Sequence, residues 1–115
     1  MRVEEENSIF LQLYDPAIYK RKIAVASLSA VIKPGMKPGT IEINSLAVWK
    51  EKHRKMGYGR KIVEDFLNRL PEHIHTVIVQ SGRDVVNFYR TFGFRISRKQ
   101  YGPHVVMTLN MKRRS

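Results

Sequence analysis

Two glycines, Gly57 and Gly59, stand in a strongly basic segment just before a predicted helix. The cations around them are Lys52, Arg54, Lys55 and Arg60. Glycine lets the backbone approach a ligand closely, and the first N–H groups of a helix lie at the positive end of its dipole. Such a point favours an anion, above all a phosphate group. The segment therefore predicts a phosphate-binding loop.

A Gly-x-Gly pair alone occurs in several kinds of loop. No Gly-Lys-Ser/Thr follows it, so the segment is not a P-loop. Ile62 stands where the third glycine of the dinucleotide-binding fingerprint belongs, which excludes that fingerprint as well. A glycine-containing loop that holds no ligand remains the alternative at this point.

Two histidines, His73 and His75, could form half of a metal site. No carboxylate or third ligand stands at a diagnostic spacing from them, so we predict no metal. The chain has no cysteine, which excludes a disulfide framework, a thiol nucleophile and a thiolate metal site. This composition is typical of a protein of the reducing cytoplasm, where we expect the chain to reside.

The elements that position these residues must share one core, because 115 residues suffice for a single domain, which we predict over residues 1–115. The hydrophobic fraction of 43% is ordinary for a soluble globular protein. No apolar run is long enough to span a bilayer, and the first seven residues lack the basic-then-apolar order of an export signal. We therefore expect no membrane association.

The formal net charge of +11 is the unusual bulk property of the chain. It predicts attraction to polyanions, whether nucleic acid, an acidic protein surface or a phosphorylated cofactor, without deciding among them. The two basic runs, 20–22 and 112–114, contain no interleaved aromatic residues and are typical of solvated charges at a turn or a terminus.

The first half of the chain is predicted to be β structure. Alternation marks one strand through Ile9, Leu11 and Leu13, and a second is predicted from Ile23 to Ile32. The turn residues of 34–39, two prolines and two glycines, indicate a hairpin. A third strand follows from Thr40 to Val48.

The period changes to that of a helix from Gly59, and Pro71 ends this helix. The unbroken apolar run Thr76–Val79 predicts a strand covered on both faces and parallel to the third. Ser81 is the predicted N-cap of a second helix, with Asp84 three residues on, and Gly93 ends it.

Two final strands are predicted, about Phe94 to Arg98 and His104 to Met111. The order is then β-β-β-α-β-α-β-β, with one strand-helix-strand crossover over residues 40–80. We predict an α+β fold, a mixed and mostly antiparallel sheet with one parallel strand pair and helices on its faces.

Three segments occur in this order on these elements: Leu46-Ala47-Val48, Arg54-x-x-Gly57-x-Gly59, and Asn87-Phe88-Tyr89-Arg90-Thr91-Phe92-Gly93-Phe94. Together they resemble the GNAT superfamily of N-acetyltransferases, over about residues 20–111. Val106-Met107 also looks like that family's last core strand. The resemblance implies a GNAT-like acyl-CoA N-acyltransferase fold, in which the parallel pair splays apart, and acetyl-CoA as cofactor.

The resemblance implies two groups of cofactor-binding residues. The backbone of Leu46, Ala47 and Val48 would pair with the pantetheine arm like an added strand. The pyrophosphate would be held in the loop and at the helix start, where the implied residues are Arg54, Lys55, Met56, Gly57, Tyr58, Gly59 and Arg60.

Acetyl transfer requires a neutral amine, and a lysine-type amine has a pKa near 10.4, so a base must accept a proton. Enzymes that resemble this chain place that base at the position of Glu42, often acting through water. Glu42 shares a face of its strand with Leu46 and Val48. A cross-strand ion pair is the alternative role for its carboxylate.

Tyr89 resembles the family's tyrosine four residues before a Gly-Phe pair, whose phenol reaches the cofactor sulfur and can protonate the leaving thiolate. A plain core position is the alternative. The reaction would be direct attack of the amine in a ternary complex.

The chain opens almost directly into a hairpin, so we expect the family's usual N-terminal strand and helices, which wall the acceptor site, to be missing. An open acceptor site suits an amine on a protein, or a site completed by a second copy or a partner. A noncatalytic GNAT-fold module that binds nucleic acid or a ribonucleoprotein through its basic surface is the alternative function.

Overall fold

A computed structural model describes residues 8–14, 24–48, 57–97 and 103–111. Its strands and helices follow the predicted order. They are β1 Ser8–Tyr14, β2 Ala24–Val31, β3 Thr40–Val48, α1 Tyr58–Arg69, β4 Thr76–Gly82, α2 Val86–Arg90, β5 Arg95–Ile96 and β6 His104–Asn110. A 3-10 turn, Arg83–Val85, precedes α2.

The six strands form one mixed sheet in the order β1-β2-β3-β4-β6-β5. β3 and β4 run parallel, as predicted, while β4–β6 and β5–β6 are antiparallel. The parallel pairs run from Thr40↔Thr76 to Ile43↔Val79, and β3 continues to Val48. The predicted α+β class and its parallel pair are confirmed.

The described residues fall into two compact units, of which the first comprises those up to Ala30 and from Asn44 to Leu70. Its helix α1 follows the predicted period, because apolar residues three and four apart fall on one face. That face is buried and consists of Ile62, Val63, Phe66 and Leu67. The helix ends where Leu70 turns extended ahead of Pro71, as the residue before a proline favours.

The second unit comprises Val31–Ile43 and the residues from Pro71 onward. Alternate residues of its strands are buried and form its apolar core, namely Ile41, Ile43, Val77, Val79, Val105, Met107 and Leu109. The predicted hairpin is present, and Gly39 within it has a φ of 81°. The carbonyl of Gly39 accepts hydrogen bonds from the amides of His75 (2.9 Å) and Thr76 (3.1 Å). These bonds hold the hairpin to the start of β4.

The prediction that β4 is covered on both faces is wrong. Val77 and Val79 are buried, but Ile78 is only half-buried and Gln80 is exposed. The apolar run therefore hid a strand with one core face and one open face, because β-branched residues suit a half-covered sheet as well as a fully covered one.

Ser81 is not the N-cap of the second helix. It is the sixth residue of β4, is buried, and its hydroxyl donates to the carbonyl of Gly82 at 2.7 Å. The chain enters α2 through the 3-10 turn instead, and α2 is shorter than predicted, five residues. β5 starts at Arg95, one residue later than predicted, because the amide of Phe94 still bonds the carbonyl of Tyr89 in the turn after α2 (3.3 Å). It ends at Ile96, and the predicted end, Arg98, lies outside the described residues.

In the part of the chain that the structure describes, neither helix has the length and apolar character needed to cross a bilayer.

Candidate functional site

The start of α1 is the point where the sequence predicts an anion site. Gly57 precedes the helix with φ 78° and ψ 14°, a left-handed conformation that glycine adopts without a steric penalty. Its carbonyl accepts the first helical bond, from the amide of Lys61 at 3.0 Å. Among the described residues no side chain caps this end, and the first turn carries no acidic residue. The positive end of the helix dipole is therefore not neutralised by the helix itself.

Only some of the residues predicted for the phosphate-binding loop lie within the described part of the chain. Lys52, Arg54, Lys55 and Met56 lie outside the described residues, as do Trp49 and His53. Arg60 is exposed and its Nε pairs with Glu64 Oε1 at 3.2 Å, one helical turn on. Tyr58 and Gly59 occupy the first turn and are half-buried.

The segment Leu46–Val48 is the last part of β3, and all three residues are half-buried. It belongs to the same unit as Gly57 and α1. Parallel pairing to β4 is present earlier in β3, from Thr40 to Ile43. The segment implied to pair with the pantetheine arm thus begins three residues after Ile43, the last residue of β3 that is paired with β4.

Tyr89 lies in α2, in the second unit, and only 5% of the residue is exposed. Its ring packs edge-on against Phe88 (centroids 5.2 Å apart) and Phe94 (5.5 Å). Burial raises the pKa of the Tyr89 phenol from 10.0 to about 12, because the phenolate would lose its hydration. The phenol is therefore protonated throughout the neutral range and can donate a hydrogen bond.

The raised pKa of Tyr89 makes folding stability depend on pH. The pKa of Tyr89 in the folded protein lies above its pKa in the unfolded chain. The contribution of Tyr89 to the free energy of unfolding is therefore complete below pH 10 and is lost as the pH rises toward 12. We expect the free energy of unfolding to fall by about 2 to 3 kcal/mol over this window through this group. Urea unfolding at several pH values should show this loss in the wild type, and Tyr89→Phe should lack it while sharing the losses from all other groups.

Glu42 makes an ion pair, as in the alternative role given above for its carboxylate, but its partner lies in the hairpin loop after β2 and not on a strand. Its Oε2 lies 2.7 Å from Nζ of Lys33, across the β2–β3 hairpin. The Glu42 side chain is 13% exposed, and that of Lys33 is 48% exposed. Lys33 is not among the residues predicted for the site. Counting back across the predicted hairpin turn would have placed it near Glu42.

Glu42 also lines an open cleft of about 650 Å³ in the second unit. The cleft lies on the sheet face opposite the apolar core, so its lining alternates with the buried residues of β3, β4 and β6. Its polar side chains include Thr40, Thr76, Thr108 and Gln80. A half-covered sheet face with hydroxyl and amide groups suits a polar, extended ligand.

The two histidines do not form a centre with other ligands in the described ranges, where no three metal-ligating side chains cluster. His75 lines the cleft, and its Nδ1 lies 2.9 Å from Oγ1 of Thr76. His73 is exposed.

A family model described as an acetyltransferase (GNAT) domain matches residues 17–115. The chain belongs to this GNAT family. Two segments that the resemblance implies for cofactor binding, Leu46–Val48 and Gly57–Arg60, lie in the first unit. Glu42 and Tyr89, the implied catalytic residues, lie in the second unit. No curated protein sequence matches the chain.

Solved structures show the same fold at low sequence identity. A Klebsiella pneumoniae protein described as an acyl-CoA N-acyltransferase superposes with a TM-score of 0.74 at 18% identity, over 96% of this chain and 77% of that one. PaiA N-acetyltransferase of Thermoplasma acidophilum, in complex with coenzyme A, gives 0.69 at 15%, over 90% and 61%. The ribosomal-protein-S18-alanine N-acetyltransferase of Escherichia coli gives 0.72 at 17%, over 92% and 70%.

Proposed function

We propose that this GNAT protein is an acetyl-CoA-dependent N-acetyltransferase that acetylates a primary amine of a protein. The observation that carries the proposal is the start of α1, where a left-handed Gly57 leads into a helix of 12 residues whose start no described side chain caps, in a chain of the GNAT family. A helix start of this kind attracts the pyrophosphate of CoA. The structural relative that contains coenzyme A supports the choice of ligand.

Acetyl-CoA supplies an activated acetyl group as a thioester. On this chain, the backbone of Leu46–Val48 would hold the pantetheine arm, and the segment from Arg54 to Arg60 would hold the pyrophosphate. An extended strand segment suits the first role because amide groups of the arm can bond to strand backbone. The net charge of +11 favours the approach of the phosphorylated donor to the protein.

The protein's own chemistry is proton handling at two groups. Glu42 would accept the proton of the attacking amine, directly or through a water molecule. Tyr89 would donate a hydrogen bond to the departing sulfur. A phenol with a pKa of about 12 is a weaker acid than a thiol, so it stabilises the thiolate by hydrogen bonding rather than by complete proton transfer.

A protein acceptor is supported by the open cleft around Glu42 and by the charge of the chain. The cleft of about 650 Å³ is open to solvent along a sheet face, which suits an extended chain better than a small enclosed amine. A net charge of +11 disfavours polycationic amines. A relative of the same fold acts on an alanine of ribosomal protein S18. Alternatively, a second copy or a partner protein would complete the acceptor site.

Thermal shift measurements test the donor half of the proposal. We expect acetyl-CoA and CoA at 100 times their dissociation constants to stabilise the protein by about 2.7 kcal/mol. Acetylated products of a protein extract, identified by mass spectrometry, would then name the acceptor. No shift with either ligand, together with salt-dependent binding of RNA or DNA, would favour the noncatalytic module that uses its basic surface.

A substitution at Gly57 localises the donor site. Gly57→Ala forces a side chain into a left-handed backbone conformation at a cost of about 1 to 2 kcal/mol, and the start of α1 should shift to relieve it. We expect the dissociation constant of CoA to rise about tenfold, measured by isothermal titration calorimetry. Gly35→Ala is the matched control, because Gly35 has a similar φ of 85° and open space around it. An equal loss of affinity in both variants would contradict the assignment.

A further inference from the structure

The open sheet face of the second unit carries a row of directly paired residues. Glu42 of β3 is paired with Ile78 of β4, Ile78 with Thr108 of β6, and Thr108 with Arg95 of β5. Paired residues on neighbouring strands point to the same face of a sheet. These four side chains, which we call the cross-strand row, therefore lie side by side across the face that carries the cleft.

The cross-strand row has a carboxylate at one end and a guanidinium at the other. Neighbouring strands lie about 4.8 Å apart, so the backbone positions of Glu42 and Arg95 are separated by about 14 Å. Ile78 and Thr108 between them are half-buried and form a shallow floor. Thr108 and Ser97 line both the cleft beside Glu42 and a neighbouring cleft that Arg95 lines, so the two clefts meet along the row.

Both charged ends can take a ligand. Lys33 contacts Oε2 of Glu42, but a carboxylate has two oxygens and accepts several donors, so a second ammonium group can bond to it. The Lys33 side chain is half-exposed, and an ion pair at this exposure contributes little to stability, so a competing ammonium group can displace it at little cost. At the other end Arg95 is exposed, and no carboxylate within the described ranges pairs with it.

We propose that the cross-strand row selects the acceptor: a free amine binds at Glu42, and an acidic side chain of the same extended peptide binds at Arg95. A fully extended chain advances about 3.4 Å per residue, so the acidic residue stands about four residues from the amine. The opposite charges at the two ends match such a peptide and no polycationic one. The inference rests on the proposed function, since it takes Glu42 as the group that receives the amine.

Binding of synthetic peptides tests this selection without catalysis. The probe is a six-residue Gly/Ser peptide with a free N-terminus, a C-terminal fluorophore and aspartate at its fifth position, and fluorescence anisotropy reports its affinity. Comparison peptides carry asparagine at the fifth position, aspartate at the second, or an acetylated N-terminus. We expect the probe to bind about fivefold more tightly than each comparison peptide, the size of an exposed charge pair.

Charge reversal at Arg95 distinguishes specific binding of the aspartate at Arg95 from nonspecific attraction of an acidic peptide to a positively charged protein. Arg95→Glu should abolish the preference for aspartate at the fifth position and favour lysine there. Arg69→Glu, on the exposed last turn of α1, changes the net charge equally and should keep the preference. Arg95→Lys should retain most of it. Glu42→Gln should remove the dependence on the free amine and leave the dependence on the acid.

Three results would overturn the inference: no peptide binding at low salt, equal affinity for all peptides, or the same preference in Arg95→Glu and Arg69→Glu. Stabilisation by acetyl-CoA alongside any of these leaves the proposed function in place. Conversely, a further outcome is that the protein selects peptides through Arg95 but is not stabilised by acetyl-CoA. That result would support the inferred peptide site and contradict the proposed acetyltransferase function.

Discussion

Tyr89→Phe is expected to lower kcat for acetyl transfer about 100-fold while the dissociation constant of acetyl-CoA stays within about twofold. The substitution removes the phenolic hydroxyl, which we propose donates a hydrogen bond to the departing sulfur. A donor that acts on developing charge contributes chiefly to the transition state, so the loss falls on kcat and not on binding. Steady-state kinetics with a peptide acceptor and calorimetry with acetyl-CoA measure the two quantities.

Tyr89→Phe removes the hydroxyl group without disturbing the packing of the ring. The Tyr89 ring is buried and packs edge-on against Phe88 and Phe94, and phenylalanine keeps these aromatic contacts. Unfolding at neutral pH should therefore change little. Tyr14→Phe is the matched control, since Tyr14 lies on β1 with 41% of its surface exposed and bonds only its neighbour Gln12 in the described structure.

An unchanged kcat in Tyr89→Phe would remove Tyr89 from the site and leave it as a core aromatic, the alternative that the sequence also allowed. A large loss in Tyr14→Phe as well would point to a general effect of removing hydroxyl groups. The expected pattern is a loss in the first variant alone.

Local patterns predicted the elements well because the signals that define them are local. β3 runs from Thr40 to Val48, as predicted, since a Pro/Gly turn precedes it and alternation continues to its end. Helix α1 starts at Tyr58, one residue before the predicted start, because Gly57 takes the left-handed conformation that opens it. The parallel β3–β4 pair followed from the single compact crossover.

The sequence could not decide which face of a strand is covered. Thr76–Val79 is apolar throughout, yet Ile78 faces the open cleft, because coverage depends on what packs against the sheet. Serine is a favoured residue type at helix N-caps, but Ser81 is paired with Val105 of β6 and therefore belongs to β4. Tertiary pairing overrides the local capping signal here.

The sequence predicted which residues belong to the candidate site, but it did not predict which residues they contact. Gly57, Glu42 and Tyr89 were chosen from motifs, and their roles stay predictions. The partner of Glu42, Lys33, depends on the hairpin register, and the opposition of Glu42 to Arg95 depends on three successive strand registers. Registers are set by turn geometry and by burial of one face, neither of which a motif records.

Gly39 lies next to the first β3–β4 pair, Thr40↔Thr76, and its replacement should cause the largest loss of stability among the variants considered. A Cβ on Gly39 would meet the ring of His75 and would lie 3.0 Å from the carbonyl of His73, and its φ of 81° disfavours any side chain. We expect Gly39→Ala to lower the free energy of unfolding by about 3 kcal/mol, combining backbone strain with overpacking. Urea unfolding with linear extrapolation measures it.

A double-mutant cycle with His75→Ala separates the two causes. Removing the imidazole relieves the side-chain contact but leaves the φ of Gly39 and the His73 carbonyl in place. Gly39→Ala should therefore cost about 1 to 2 kcal/mol less in the His75→Ala background than in the wild type. An equal cost in both backgrounds would assign the whole effect to the backbone.

The same double-mutant cycle also tests the position of Glu42 in the cross-strand row. The Gly39 carbonyl bonds the amides of His75 and Thr76, and Thr76 is paired with Thr40, two residues before Glu42. If Gly39→Ala loosens this end of β4, Glu42 loses its fixed position opposite Ile78 and the peptide preference read by Arg95 should weaken in the folded variant. The His75→Ala background should restore part of that preference along with the stability, because both depend on the same register.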